Sequence, residues 1–419
     1  MANLLVKIQE YILYSLPFLM MTGPLLSDGG LSIICILFLI NLIVHKRYNF
    51  FNIDKFGKIF FLWCVYLIIL SLLSVDPLLS LESSLFFFRF GVFVYAIIHI
   101  VKNNVNFLKY FYFYLMFAIL FVIFDGLIQY FFGVNIFGYE YDGYRLGLFN
   151  DTKFFGYYLV RLLPILFAIG IYFYSDSKIN LILLMSIFIV SDILIFLSGE
   201  RTSFFLLLLF TSGVLILISK WKLIRILTVF LSVIVVLVIL NIDGSVKQRM
   251  VTQTVNQTNW GVSFSPEHDL LYESAINMFL DNPIFGVGPK IFRLKCSDKK
   301  YAKDIFKYRE SITSWDESKS CSTHPHNMYI QLLAETGLVG TIPVIIFFLM
   351  ITKKLVQHFY SVYVNRTYLY TDYIVMLLLS VFVQLWPIIP HLSVFNNRIN
   401  VFIFLTIGLL AAGKYVQKK

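Results

Sequence analysis

Apolar residues run along this chain in long blocks separated by short polar breaks. Blocks long enough to cross about 30 Å of hydrocarbon as helices fall roughly at 11–26, 30–45, 57–75, 85–101, 108–131, 155–174, 178–197, 202–219, 222–241, 327–352, 370–389 and 398–414. The pattern predicts about twelve spans, with 202–219 and 222–241 the hardest pair to separate. The breaks alternate in charge. One set carries Lys46, Arg47, Lys55 and Lys58, then Lys102 and Lys109, then Lys220, Lys222 and Arg225, then Lys353, Lys354 and Arg366, with Lys414, Lys418 and Lys419 in the tail. The other short breaks are poor in Lys and Arg and carry Asp28, Asp76 and Glu82. Positive charge stays on the cytoplasmic side, so both termini are expected there. The first block follows Lys7 and Glu10 and lacks a small-residue cleavage pattern, so it reads as a span rather than a removable leader.

Composition strengthens this reading. The chain of 419 residues is 59% hydrophobic and 18% aromatic with only 14% charged residues, and its mean hydropathy is +0.79. A soluble domain cannot hide that much apolar surface. The net charge of +10 would suggest nucleic acid in a soluble protein; here it sits in the breaks as an orientation signal, and no nucleic-acid partner is expected. The expected architecture is an all-α integral membrane bundle in three parts. Residues 1–241 supply the first nine spans, 242–326 form an extracytoplasmic loop subdomain, and 327–419 supply the last three.

That loop, with the shorter one at 132–154, lies opposite the cytoplasmic face. Ser265-Pro266-Glu267 reads as an N-cap, a first-turn proline and an early acidic residue. The periodic run Leu270, Leu271, Ala275, Ile276 and Phe279 then predicts a surface helix ending before Pro283. Cys35 and Cys64 fall inside apolar blocks and read as packing residues. Cys296 and Cys321 fall in the large loop, where an oxidising compartment permits a disulfide; two free thiols is the alternative.

Ionisable groups inside spans are expensive and need a reason. Arg89, Asp125, Arg161, Asp192 and Glu335, with Arg201 at a span boundary, all fall in the outer half under this topology. Structural ion pairing is one reading. A site open to the outer leaflet is the other, and a one-sided placement argues against a carrier with polar groups reachable from both faces.

The sharpest local signal is Thr323-His324-Pro325-His326-Asn327, leading into Glu335 and Gly337-x-x-Gly340. Pro325 is expected to start a helix with His326 in its first turn, where the positive helix end disfavours imidazolium. A neutral imidazole at a wet–dry boundary suits a general base for a hydroxyl; a simple capping histidine is the alternative. No P-loop, Asp-x-Asp site or dinucleotide fingerprint appears, which argues against a cytoplasmic nucleotide-sugar transferase.

His326-Asn327, nine residues, then Gly337-x-x-Gly340 resembles the signature of the O-antigen ligase and polymerase superfamily. Further segments follow in the family's order: Asp125-x-x-x-Gln129, Arg145-Leu-Gly-Leu-Phe-Asn150, Ser198-Gly-Glu-Arg201, Asn282-Pro-Ile-Phe-Gly-Val-Gly288 and Pro390-His-Leu-Ser-Val-Phe395. The resemblance covers most of the chain from about 120 onward. It implies a bundle of the GT-C type and metal-independent, cofactor-free glycosyl transfer that inverts the anomeric centre. The donor would be a glycan on undecaprenyl pyrophosphate in the outer leaflet of the inner membrane. The acceptor would be lipid A-core for a ligase, placed slightly ahead, or another lipid-linked repeat for a polymerase.

The family's inter-span arginine corresponds to Arg201, which would bind the pyrophosphate, and its catalytic histidine to His326. Arg145 is a candidate for phosphate or sugar contact, or a loop anchor. Asn327, Glu335, Arg89 and Arg161 complete the candidate substrate-binding set. The chain departs from the family where a second phosphate-binding arginine is expected in the large loop. The stretch reads His268-Asp269-Leu270-Leu271-Tyr272-Glu273, so His268 takes roughly that place and Arg249 lies upstream. Lys290, Arg293, Lys295, Lys299 and Lys300 form a basic insertion, suited to anionic lipid or simply solvated. A polysaccharide or lipid exporter is the non-enzymatic alternative.

Overall fold

The computed structural model describes residues 2–45, 54–104, 106–149, 153–218, 221–258, 265–301 and 321–416. Lys46, Arg47, Asn150, Lys220, Lys418 and Lys419 lie outside the described residues. The bundle is built from α1 (Ala2–Thr22), α2 (Pro24–Val44), α3 (Lys55–Leu72), α4 (Pro77–Ser84), α5 (Arg89–Asn103), α6 (Phe107–Phe132), α7 (Phe155–Tyr174), α8 (Lys178–Leu197), α9 (Arg201–Leu217) and α10 (Lys222–Ile242). The large connection holds α11 (Gly244–Lys247), a π turn (Gln248–Thr252), α12 (Gln253–Thr258), α13 (Pro266–Asp281) and α14 (Phe292–Lys295). It is closed by α15 (Met328–Tyr363), α16 (Asp372–Gln384) and α17 (Asn397–Val416).

Among the described residues, 10 helical stretches are long and apolar enough to cross a membrane, with α4 and α5 counted as one. The protein is an all-α integral membrane protein. Two of the twelve expected spans, α9 and α16, are shorter apolar helices. The expected block at 370–389 yields a helix of only 13 residues, because Pro387 and Pro390 cannot continue it. The first helix begins well before Tyr11; Glu10, on its third turn, accepts from Asn104 Nδ2 at 2.9 Å, which accommodates its charge. α15, the longest of the described helices, runs 36 residues, past Lys353 and Lys354, since no breaker follows Pro343.

Two layers of packing position the site. α7 is buried on nearly all faces from Phe155 to Ile171, the pattern of a central helix in a bundle. α10 buries only Arg225, Thr228 and Ser232 and turns the rest of its apolar surface outward. The large connection has its own small core, in which Leu271, Ala275 and Met278 of α13 pack with Val287, Ile291, Phe292, Cys296 and Tyr301 against Ala334 of α15. Cys296 and Cys321 are joined by a disulfide with Cα atoms 4.8 Å apart.

The glycines of the signature make the joint between this connection and the bundle. Gly337 has φ 60° and ψ −166° and breaks α15. Around the break, Val287 and Gly288 N–H donate to the Ala334 and Glu335 carbonyls at 3.0 and 2.9 Å. Leu338 and Val339 N–H donate to the Pro283 and Ile284 carbonyls at 2.9 and 3.2 Å. The two backbones lie so close that a Cβ on Gly337 would sit 2.3 Å from the Ile284 carbonyl oxygen, and one on Gly286 would sit 2.5 Å from the Thr336 nitrogen. α3 closes the joint: Trp63 Nε1 donates to the Gly340 carbonyl at 2.8 Å and the Tyr66 hydroxyl to the Thr336 carbonyl at 2.7 Å.

Candidate functional site

Three arginines meet on the face that carries the long connections. Arg145 arrives on a loop that α6 holds by two side chains. Asp125 accepts from the Ile136 N–H at 2.9 Å. Gln129 accepts from the Gly147 N–H at 2.9 Å and donates to the Tyr139 carbonyl at 3.2 Å. Asp142 then takes the Tyr144 and Arg145 N–H groups at 2.8 and 2.7 Å. The loop settles onto the turn between α8 and α9. A Cβ on Gly199, which has φ +67°, would lie 1.9 Å from the Tyr144 carbonyl oxygen. Glycine is therefore required there on both steric and backbone grounds.

Glu200 completes this turn. Its carboxylate accepts from the Gly156 and Tyr157 N–H groups at 2.9 and 3.0 Å and from the Ser203 hydroxyl at 2.8 Å, joining the start of α7 to the start of α9. Arg201 follows as the first residue of α9. The third guanidinium belongs to Arg249, on the π turn after α11. Its Nε donates to the Gly199 carbonyl at 3.2 Å and its Nη1 to Gln253 at 3.1 Å. Burial first, then the charges of Arg145 and Arg201, push Arg249 down to about 10. It remains cationic at neutral pH, and the three like charges form a ready site for an anion.

Histidines line the adjoining edge. Ser265 caps α13 and lies 2.7 Å from His268 Nδ1, fixing that ring close enough to Arg201 to feel its charge. The His268 and His326 ring centroids are 5.4 Å apart, and His324 lies 4.1 Å from His326. His326 is half-buried. Burial and then His268 push its imidazole down to about 4, so the ring is neutral at neutral pH.

His326 stands outside the helix, not in its first turn. Asn327 is the N-cap, accepting from the Tyr329 and Ile330 N–H groups at 3.0 and 3.1 Å, and α15 begins at Met328. An amide side chain at Asn327 is the better cap, so Pro325 and His326 precede the helix. The neutral ring is thus a consequence of burial rather than of the helix dipole. His326 also has φ +56°, a left-handed backbone costing a non-glycine residue about 1–2 kcal/mol. The connection between α16 and α17 holds it there: His391 N–H donates to the His326 carbonyl at 2.6 Å. Asn327 Nδ2 donates to the Pro387 and Ile389 carbonyls at 2.8 and 3.3 Å.

The remaining candidates lie elsewhere. Arg89 bonds Asp28 at 2.7 Å, clasping α5 to α2. Glu335 is fully buried and accepts from the Phe292 N–H at 3.1 Å and from Gln331 Nε2 at 2.8 Å; it anchors the large connection at the Gly337 joint. Asp192 is paired with Arg225 at 2.7 Å, so Arg225 is a buried partner and not a loop charge. Arg161 lies beneath the site in the core. In the basic insertion, Lys290 pairs with Glu82 at 2.9 Å and Lys300 pairs with Asp281. No local pattern places Arg249 beside Arg201, because it lies 48 positions further along the chain, on the π turn.

Residues 181–345 match the family model described as O-antigen ligase. The matched stretch includes Arg201, Arg249, His268, His326 and Gly337, while Arg145 and His391 lie outside it. No curated protein matches the chain.

Proposed function

We propose that this chain, which through residues 181–345 belongs to the O-antigen ligase and polymerase superfamily, transfers an undecaprenyl-pyrophosphate-linked glycan to an acceptor sugar on the periplasmic side of the bacterial inner membrane. Members of this family are glycan-transferring enzymes. Lipid A-core is the favoured acceptor; a lipid-linked repeat, which would make the chain a polymerase, is the second reading. The orientation rests on the charge alternation of the breaks, which assigns both termini to the cytoplasm and the 242–326 subdomain to the periplasm.

The observation that carries the reading is the gathering of Arg145, Arg201 and Arg249, joined through His268 to the neutral His326. In the reaction, the acceptor oxygen attacks the anomeric carbon as the bond to the pyrophosphate oxygen breaks. The acceptor proton passes to His326, and the electron pair leaves with the pyrophosphate. Guanidinium groups bind phosphate oxygens in bidentate fashion and stabilise the charge that develops there. The single displacement inverts the anomeric centre and asks for no metal. His268, steered by Ser265, stands between the cations and the base, where it can contact either substrate.

Transfer by purified protein in nanodiscs without divalent metal tests this. Native lipid-linked glycan and purified lipid A-core would be supplied, beside Arg201→Ala and His326→Ala. Glycan on lipid A-core, lost in both variants, is the expected result. Chain growth on the carrier alone would make the protein a polymerase. Normal transfer by folded His326→Ala would overturn the assignment of the base.

A further inference from the structure

Below the site, Arg161 of α7 is 1% exposed. Its Nη1 donates to Gln384 Oε1 at 3.1 Å. The Tyr157 hydroxyl and the Glu200 carboxylate lie close enough to act on its charge, but among the described residues it forms no salt bridge, and Nε and Nη2 make no well-formed hydrogen bond. Such a group is costly to bury and contributes little to packing that an apolar side chain would not. Its neighbours show where it acts. The guanidinium carbon lies 4.9 Å from the centre of the Tyr157 ring, and the Tyr157 hydroxyl donates to the Pro390 carbonyl at 3.1 Å. The next residue, His391, is 3% exposed. Its imidazole is close enough to Arg161 for that charge to bear on it, and its backbone N–H holds the His326 carbonyl at 2.6 Å. A continuous set of contacts therefore runs from a buried charge, through the segment Pro387–His391, to the strained backbone of the proposed base.

We propose that Arg161 is a positioning residue, which acts through Tyr157 and His391 to hold the segment Pro387–His391 and thereby the left-handed backbone of His326. This rests on the reading of His326 as the base. It assigns Arg161 no contact with the substrate. A misplacement of about 1 Å in a reacting group can cost about 10²-fold in rate, so loosening this segment is felt in turnover and not in donor binding.

The test uses the full chain in nanodiscs with Arg161→Met, Arg161→Lys and Tyr157→Phe. For Arg161→Met, kcat is expected to fall about 10²-fold with KM for the lipid-linked donor unchanged. Its melting temperature should not fall, since an apolar replacement removes the desolvated charge. Tyr157→Phe, which loses only the hydroxyl on Pro390, should fall about tenfold, and Arg161→Lys should recover part of the Arg161→Met loss. Diethyl pyrocarbonate labelling of His326, followed by mass spectrometry, should be several-fold faster in Arg161→Met. A raised KM with unchanged kcat would make Arg161 a substrate contact and overturn the proposal. So would a melting temperature that falls in step with activity, or an unchanged labelling rate. Absence of transfer by the wild-type chain, or transfer by His326→Ala, would instead defeat the underlying reading. The labelling comparison does not depend on turnover and separates the two failures.

Discussion

Arg225 and Arg161 are both buried guanidinium groups inside one helical bundle, and their surroundings differ in kind. Arg225 meets the Asp192 carboxylate with both Nη atoms, at 2.7 and 3.0 Å. Thr211 and Thr228 join it, and the Phe188 ring lies 4.4 Å from its carbon. Only its Nε lacks a partner. Arg161 meets the neutral Gln384 amide and the Tyr157 side chain, with the Glu200 carboxylate near enough to bear on it but no salt bridge among the described residues. The first is a closed clasp between α8, α9 and α10, and none of the residues it bonds belongs to the arginine and histidine cluster. The second lies under the segment that holds His326. Burial alone therefore does not mark a functional charge. The informative feature is a buried charge without a salt-bridge partner next to candidate chemistry.

The largest expected effect falls on the closed clasp. Arg225→Ala leaves Asp192 buried without its partner, which should cost about 3–5 kcal/mol. It would appear as a lower melting temperature or loss of the folded fraction, while transfer per folded molecule is retained. Combining Arg225→Met with Asp192→Leu should restore most of that stability. If the double variant is stable but inactive, the clasp is functional and the contrast with Arg161 collapses.

Next comes the joint at the signature glycines. Gly337→Ala places a Cβ 2.3 Å from the Ile284 carbonyl oxygen at a residue with φ +60°. Strain of this kind costs about 1–3 kcal/mol, read as a drop in melting temperature. A variant that keeps its stability would show that the α15 break adapts easily.

The cation cluster gives an intermediate effect. Arg249→Ala removes one charge-assisted contact, about 1.5–3 kcal/mol, so donor binding and transfer should weaken by about one to two orders of magnitude without loss of fold. An unchanged donor affinity would return Arg249 to a loop anchor on Gly199.

The histidines give a pH signature. Burial pushes His326 to about 4 and His324 to about 3, below the ordinary value of 6.5. The folded chain then binds fewer protons than the unfolded chain between these values. Stability is full above pH 6.5 and erodes as pH falls through that window. A base with this pKa stays neutral from pH 5 to 8, so transfer should be flat there with respect to His326 and fall only toward pH 4. An activity midpoint near 6.5 would show a solvated His326.

Much of this was legible in the pattern of residues, and the exceptions have physical causes. Blocks of apolar residues announce long helices because an unbroken apolar run can satisfy its backbone within hydrocarbon as a helix, whereas barrel strands alternate apolar and polar positions. The block at 370–389 predicts a longer span than α16 because apolar residues continue on both sides of Pro387, and the non-helical stretch from Pro387 on is the segment that holds His326. The Ser265 cap marked the start of α13, because capping is local. His326 was expected one step too far along, inside the helix, because Asn327 competes for the cap. Gly337-x-x-Gly340 signals a family but not a break in α15, whose backbone partners Pro283–Gly288 lie about fifty residues upstream. Arg249 stands in the sequence only as an arginine upstream of the place where the family's second one is expected, since only the folded connection brings it to the Gly199 carbonyl.

The smallest effect completes the contrast between charges held in the core and charges held at the surface. Lys290 bonds Glu82 at 2.9 Å, but the Glu82 side chain is 64% exposed. Water screens that pair and competes for both ends, so such contacts contribute about 0–1 kcal/mol. Lys290→Ala should therefore shift the melting temperature little, although it touches the same large connection that Glu335 anchors from inside. If the basic insertion instead binds lipid or glycan phosphates, Lys290→Ala would weaken transfer to a phosphorylated acceptor and spare an unphosphorylated one. Measuring both acceptors separates a solvated lysine from a docking one. A loss on both would show that this pair helps hold the connection itself in place, and that exposure is a poor guide to importance on this face.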